Sequence, residues 1–157
     1  MKKCYDKGEL YISVIRIIIV AIPLWLPVMF FAADKFYFTP TRNIETNWEI
    51  EIPSDFNQIY HVTSDNIYAR ADGYTVYETP EEISSFLQGF SSTKQSSAES
   101  FVKKIIIRLS VSENYQPPFD ESYYYLERYA QGDRLIVIYS PKSDRCFVIE
   151  SFSWDSI

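Results

Sequence analysis

The sequence predicts an α+β fold: an N-terminal transmembrane helix, then a small domain of antiparallel sheet with two helices packed on one face. Three observations predict this arrangement. An uncharged apolar run leads the chain, two segments with helical periodicity occupy its middle, and three segments with strand periodicity, joined by short turns, lie near its end. Because helices and strands follow one another in blocks instead of alternating, the sheet is expected to be antiparallel.

The apolar run extends from Ile17 to Ala33, the short end of the length that spans a lipid bilayer. More cations precede the run than follow it, which predicts a single-pass protein with a cytoplasmic N-terminus and an extracytoplasmic C-terminal domain. A cleaved signal peptide is the alternative, but Phe31 occupies position −3 of a cut after Ala33, so an uncleaved signal anchor is favoured. The predicted division is 1–38 for the stub, anchor and interfacial segment, and 39–157 for the extracytoplasmic domain.

The charge of the chain is divided unevenly. Residues 1–33 carry four cations and two carboxylates, a net charge of +2, so the remaining 124 residues carry −8 of the total of −6. An acidic domain of this kind argues against nucleic acid as a partner and favours a basic protein.

The domain is predicted to begin with a short linker and a first set of strands. Residues 39–42 form the linker, and residues 48–52 alternate apolar and polar side chains, which predicts a strand that ends at Pro53. Residues 56–60 are interpreted as a turn of helix or an edge segment. Residues 67–70 and 74–78 flank Asp72 and Gly73, a pair typical of a hairpin turn.

Two helices are predicted next. Thr79 as N-cap, Pro80 in the first position and Glu82 three residues after the cap predict a helix over residues 79–89. A second helix begins at about residue 97, with Ser96 and Glu99 spaced as a capping box. Its apolar face contains Ala98, Phe101, Val102, Ile105, Ile106 and Leu109.

The final strands give the clearest pattern. Residues 123–129, 134–139 and 145–152 are joined by two short connections rich in turn-forming residues, which predicts an antiparallel meander. Ile136, Val137 and Ile138 leave their strand no polar face. This strand is therefore predicted to be central and covered on both sides.

Few residues in the chain suggest chemistry. The only histidine is His61, and the two cysteines, Cys4 and Cys146, are predicted to lie on opposite sides of the membrane. We expect no metal site, no cofactor and no activated nucleophile, and predict that the protein is not an enzyme. A small enzyme or ligand sensor that uses carboxylates alone is the alternative, because such a protein would leave no motif.

Tyrosines are the unusual feature of the domain, since residues 34–157 contain eleven of them. On a strand, Tyr123, Tyr125 and Tyr129 share one face, and Glu127 lies between the last two. Tyrosine is enriched in protein interfaces, so these four residues are the predicted protein-binding site. The alternative is a half-buried sheet surface with no binding role.

The apolar N-terminal segment, the compact α+β domain and the meander DRLIVIYSPKSDRCFVIESFSW together resemble the TipC-type immunity proteins of bacterial toxin systems. The resemblance lies in the overall layout. It implies a membrane-anchored, extracytoplasmic protein that binds and neutralises a toxin, and it leaves open an inhibitor or a subunit of an envelope complex.

Overall fold

The computed structural model describes Trp25 and residues 39–64, 71–80 and 83–152. By its internal contacts the chain divides into two units, residues 1–43 and residues 44–157. The boundary falls inside α1, Pro40–Trp48, the first helix whose bounds the structure describes. In the first unit, Thr39 caps this helix, because its hydroxyl oxygen accepts the N–H of Arg42 at 3.3 Å, and Pro40 occupies the first helical position.

The second unit is built on a five-stranded antiparallel sheet. Its strands are β1 (Asn57–Thr63), β2 (Gly73–Glu78), β3 (Tyr124–Ala130), β4 (Asp133–Ser140) and β5 (Arg145–Ser151). They lie in the order β1-β2-β5-β4-β3, so the last three form the predicted meander. Strand β5 is central, and β4, which was predicted to be central, lies beside it. Ile136, Val137 and Ile138 are at most 2% exposed, which confirms that β4 is covered on both faces.

Helix α2, Ser96–Arg108, covers one face of the sheet. Its buried side chains pack with Tyr74, Val76, Ile136, Ile138, Phe147 and Ile149 in one core cluster. The predicted apolar stripe of this helix is confirmed, except that Phe101 is only half-buried. The predicted capping box is wrong, because Gln95 is the N-cap residue and its side chain makes no capping bond. At the other end, Arg108 forms an ion pair with the buried Asp72.

The opposite face of the sheet has a different cover. The last turn of α1 contributes Ile44 and Trp48 to a second core cluster, together with residues from the irregular segments 49–56 and 83–90. From the sheet, the cluster contains Tyr77, Leu135, Val137, Tyr139, Cys146 and Val148. The prediction of two helices on one face is therefore wrong: of the two predicted helices only α2 forms in the described residues, and α1, which was not predicted, contributes to the opposite face.

Three local predictions differ from the structure. The predicted linker contributes residues 40–42 to the first turn of α1. The strand predicted at 48–52 is also wrong, because residue 48 ends the helix and 49–52 are irregular, although Trp48, Ile50 and Ile52 are buried as their alternation required. Between 79 and 89 the chain forms turns, with Glu81 and Glu82 outside the described residues. In the described part of this segment, the N–H of Leu87 bonds to the carbonyl of Ile83 at 3.2 Å with helical spacing, and the N–H of Gln88 bonds to the carbonyl of Ser85 at 3.5 Å with the spacing of a turn. The predicted strand at 67–70 also lies outside the described residues, and β2 pairs instead with β1.

The predicted transmembrane helix requires correction. Apart from Trp25, the segment Ile17 to Ala33 lies outside the described residues. Within the ranges that the structure describes, no helix combines the length and the apolar character needed to cross a membrane. The fold of the described residues is the α+β sheet domain, and the predicted single-pass transmembrane helix is not among its described elements. The predicted extracytoplasmic location stays a prediction.

A buried carboxyl group links the end of α1 to the sheet. Glu150 of β5 is 7% exposed, and its Oε1 accepts the indole N–H of Trp48 at 2.7 Å. Burial raises the pKa of Glu150 from 4.5 to about 7, and the Trp48 hydrogen bond opposes this rise. Gly73 lies opposite, where an added Cβ would come within 3.2 Å of Glu150 Oε2. Glycine therefore gives the buried carboxyl group its space.

We predict that Ile138→Asp unfolds the domain. Ile138 of β4 is 2% exposed and belongs to the core cluster that contains the buried side chains of α2. An unpaired carboxylate buried there costs several kcal/mol. Ile107→Asp is the matched control, because Ile107 lies on α2 and is 78% exposed. Circular dichroism during thermal melting should show a folded control and an unfolded Ile138 variant. Equal melting curves would contradict the assigned core.

We predict that Glu150 makes the domain less stable as the pH rises. The pKa is higher in the folded state, so the folded protein holds more protons between pH 4.5 and about 7 and loses stability across that interval. Such a shift corresponds to roughly 3 kcal/mol.

The test of this prediction compares wild type with Glu150→Gln in urea denaturation from pH 4 to pH 8. The glutamine can still accept the Trp48 bond, so the variant should match wild type at pH 4 and exceed its free energy of unfolding at pH 8. Glu121→Gln is the control, since Glu121 forms a surface ion pair with Lys142 and should leave the dependence on pH in place. A constant difference between wild type and Glu150→Gln would contradict the assignment.

Candidate functional site

Two of the four predicted binding residues make contacts inside the domain. Tyr123, just before β3, is 4% exposed, and its hydroxyl donates to Glu99 Oε1 of α2 at 2.8 Å. Burial, followed by this hydrogen bond, raises the pKa of Tyr123 to about 12. Tyr125 is half-buried, and its hydroxyl donates to Gln95 Oε1 at 2.5 Å. Both rings therefore hold α2 and the segment before it against the sheet.

The other two predicted residues lie together at the surface. Tyr129 is 67% exposed and its hydroxyl donates to Glu127 Oε1 at 2.6 Å, which raises the pKa of Tyr129. The same carboxylate oxygen accepts the Nε–H of Arg134 at 2.6 Å. The guanidinium of Arg134 lies 4.1 Å from the ring centre of Phe101. The structure thus joins Glu127 and Tyr129, but the charge of Glu127 is already matched by a cation.

A groove on the face of the sheet opposite α2 was not predicted from the sequence. It is open to solvent, has a volume of about 620 Å³, and lies among the segment after α1, the turns at 85–90 and the edge strand β3. We call it the acidic groove. Its lining residues are Glu49, Ile50, Glu51, Pro53, Ser54, Asp55, Ser85, Phe86, Gln88, Phe90, Leu126 and Arg128.

The groove combines an apolar floor with a charged rim. Phe86 and Phe90 are half-buried, with ring centres 5.3 Å apart, and Leu126 is half-buried beside them. The carboxylates of Glu49, Glu51 and Asp55, in contrast, belong to exposed residues. Among the side chains that the structure describes, none of these three takes part in an ion pair.

Backbone geometry places the first of these acids. Glu49 follows the last residue of α1 and has a φ of 53°, in the left-handed region that glycine and asparagine favour. Its N–H still bonds to the carbonyl of Glu45 at 3.0 Å, so the chain leaves the helix with a sharp change of direction. The carboxylate of Glu45 accepts the N–H of Ile52 at 3.2 Å and fixes the segment that follows.

Arg128 is the cation of the groove, and backbone carbonyls hold its guanidinium. Its Nη1 donates to the carbonyls of Trp48 at 2.9 Å and Glu49 at 3.3 Å. Carbonyls at the end of a helix lack helical partners and carry partial negative charge, which a cation stabilises. Arg128 therefore joins the edge strand β3 to the end of α1.

The remaining polar groups of note lie elsewhere in the fold. Cys146 is fully buried, and burial raises the pKa of its thiol. His61 lies on β1, where Nδ1 is 2.9 Å from Thr75 Oγ1, and burial lowers its pKa. Within the described ranges, no group of three or more His, Cys, Asp or Glu side chains is arranged to hold a metal ion.

Comparison of the chain with protein-family models, with curated proteins and with solved structures finds no match. The resemblance to TipC-type immunity proteins consequently stays a prediction.

We predict that Tyr123→Phe destabilises the domain by about 1 kcal/mol, the usual net contribution of one such hydrogen bond. The variant keeps the buried ring but removes the hydroxyl that donates to Glu99. Tyr129→Phe is the control, because its hydroxyl donates to Glu127 from an exposed position. Thermal melting should show a decrease of a few degrees for Tyr123→Phe and little change for Tyr129→Phe. A larger decrease in melting temperature for Tyr129→Phe than for Tyr123→Phe would contradict the structural role of Tyr123.

Proposed function

We propose that this domain acts by binding another protein, without catalysis of its own. The observation that carries the proposal is the acidic groove: an open concave surface with half-buried aromatic rings, an apolar floor and exposed carboxylates. Rigid aromatic side chains surrounded by polar groups are typical of the centre and rim of protein interfaces.

The surroundings of the groove also favour a protein partner. The described carboxylates of the groove stand on exposed residues, whereas an enzyme or ligand sensor that uses carboxylates would gather them in an enclosed pocket. The groove is also framed by three separate parts of the chain, so its shape depends on the folded domain. The resemblance implies that this binding is that of an immunity protein, and an inhibitor or a subunit of an envelope complex is the alternative form.

Site-specific photo-crosslinking of the full chain in cells of its source tests the proposal. A photoreactive amino acid replaces Gln88, an exposed residue of the groove, or Lys104, an exposed residue of α2 that serves as the matched control. We expect a defined adduct with another protein from position 88 and none from position 104. Adducts of equal yield from both positions, or from position 104 alone, would place the interface elsewhere, and no protein adduct from either would contradict protein binding through this groove.

A further inference from the structure

We propose that the acidic groove receives a short segment of its partner that carries a lysine or arginine side chain. This inference rests on the proposed function and adds the chemistry of the partner. Three features of the groove carry it: its size, its uncompensated charge and the apolar floor beneath that charge.

The size of the groove favours a short segment of chain. A volume of about 620 Å³ falls within the range of roughly 300–1,000 Å³ that is usual for sites that bind small ligands. Such a volume accommodates a few side chains. The partner is therefore expected to insert a small part of itself here, with the rest of its contact around the rim.

The charge of the groove favours a cation. Three carboxylates line it against one guanidinium, a net charge of −2. That guanidinium, of Arg128, donates to the carbonyls of Trp48 and Glu49. Among the described residues, the carboxylates of Glu51 and Asp55 form no ion pair, so a cation from the partner would meet charges that no described cation of the domain matches.

The floor of the groove favours a cation on a long aliphatic stem. Phe86, Phe90 and Leu126 provide apolar surface below the carboxylates. Lysine and arginine bury their methylene groups on such a surface while the charged end stays among polar groups. An aromatic ring adds attraction when a cation lies over its face. A purely apolar segment would match the floor but not the carboxylates. An acidic segment would be repelled by the carboxylates.

The test measures the binding of a fluorescent peptide, GVKVKVG with blocked ends, to the purified full chain by fluorescence anisotropy. The matched peptide carries Nε-acetyl-lysine in both lysine positions, which removes the charge and keeps the stem. We expect the lysine peptide to bind at least tenfold more tightly than the acetylated one, and its affinity to decrease as salt is added. Equal binding of the two peptides, or no binding of the lysine peptide at millimolar concentration, would overturn the inference.

Two double variants with the same change of net charge locate the site. Glu51→Gln with Asp55→Asn alters the groove, whereas Glu113→Gln with Asp120→Asn alters exposed acids that do not line it. We expect the groove variant to bind the lysine peptide at least tenfold more weakly than wild type, and the control variant to differ less than twofold. An equal loss in both would mean non-specific attraction to an acidic protein and would overturn the inference.

The two proposals fail in different ways. If a partner crosslinks through position 88 while the lysine peptide fails to bind, the proposed function stands and the inference about partner chemistry falls. If the peptide binds in the groove but no protein crosslinks there, the proposed function falls and the preference of the groove for cations stands.

Discussion

Both faces of strands β4 and β5 are apolar and must be buried, and this requirement determines how the rest of the domain packs. Both strands alternate side chains between two separate core clusters, and every residue from Leu135 to Ser140 and from Cys146 to Glu150 is buried. A sheet with two apolar faces cannot leave either one in water. Helix α2 covers one face with a regular stripe. The other face is covered by the last turn of α1 and by irregular segments, whose apolar side chains complete the second core cluster. The acidic groove lies on this second face, beside the edge strand β3.

The parts of the fold that sequence reasoning predicted correctly are those that depend on neighbours along the chain. The meander is recognisable because its strands alternate and its connections are short, and Gln131 and Gly132 both have the positive φ that a tight hairpin turn requires. Helix α2 is recognisable from its 3.6-residue period. Residues 48–52 are an example. Their alternation correctly predicts which side chains are buried, but it does not determine whether the backbone pairs with another strand. That pairing is a long-range property, and β2 pairs with β1 and β5 instead.

Local sequence patterns could not predict the candidate site, for the same reason. Its lining residues come from positions 49–55, 85–90 and 126–128, which only the fold brings together. Glu49 and Glu51 could be noticed as exposed acids of an alternating segment, but nothing near them indicates Phe86 or Leu126. Conversely, the tyrosines near β3 stand out by abundance, and the structure gives two of them partners in and beside α2. The local sequence shows which side chains a segment contains, whereas the fold determines which of these side chains are exposed and can contact another molecule.

The charge of the groove follows from the way α1 ends. The helix stops at Trp48, and its last carbonyls need donors that the helix cannot supply. Arg128 reaches from β3 and supplies them, so the only cation among the described residues that line the groove is engaged by the backbone at the rim. Had Arg128 paired instead with Glu51 or Asp55, one of these carboxylates would already have a cation of the domain as its partner. Because its guanidinium serves the helix end, the arrangement that anchors α1 to the edge strand also leaves the carboxylates available to a cation from outside.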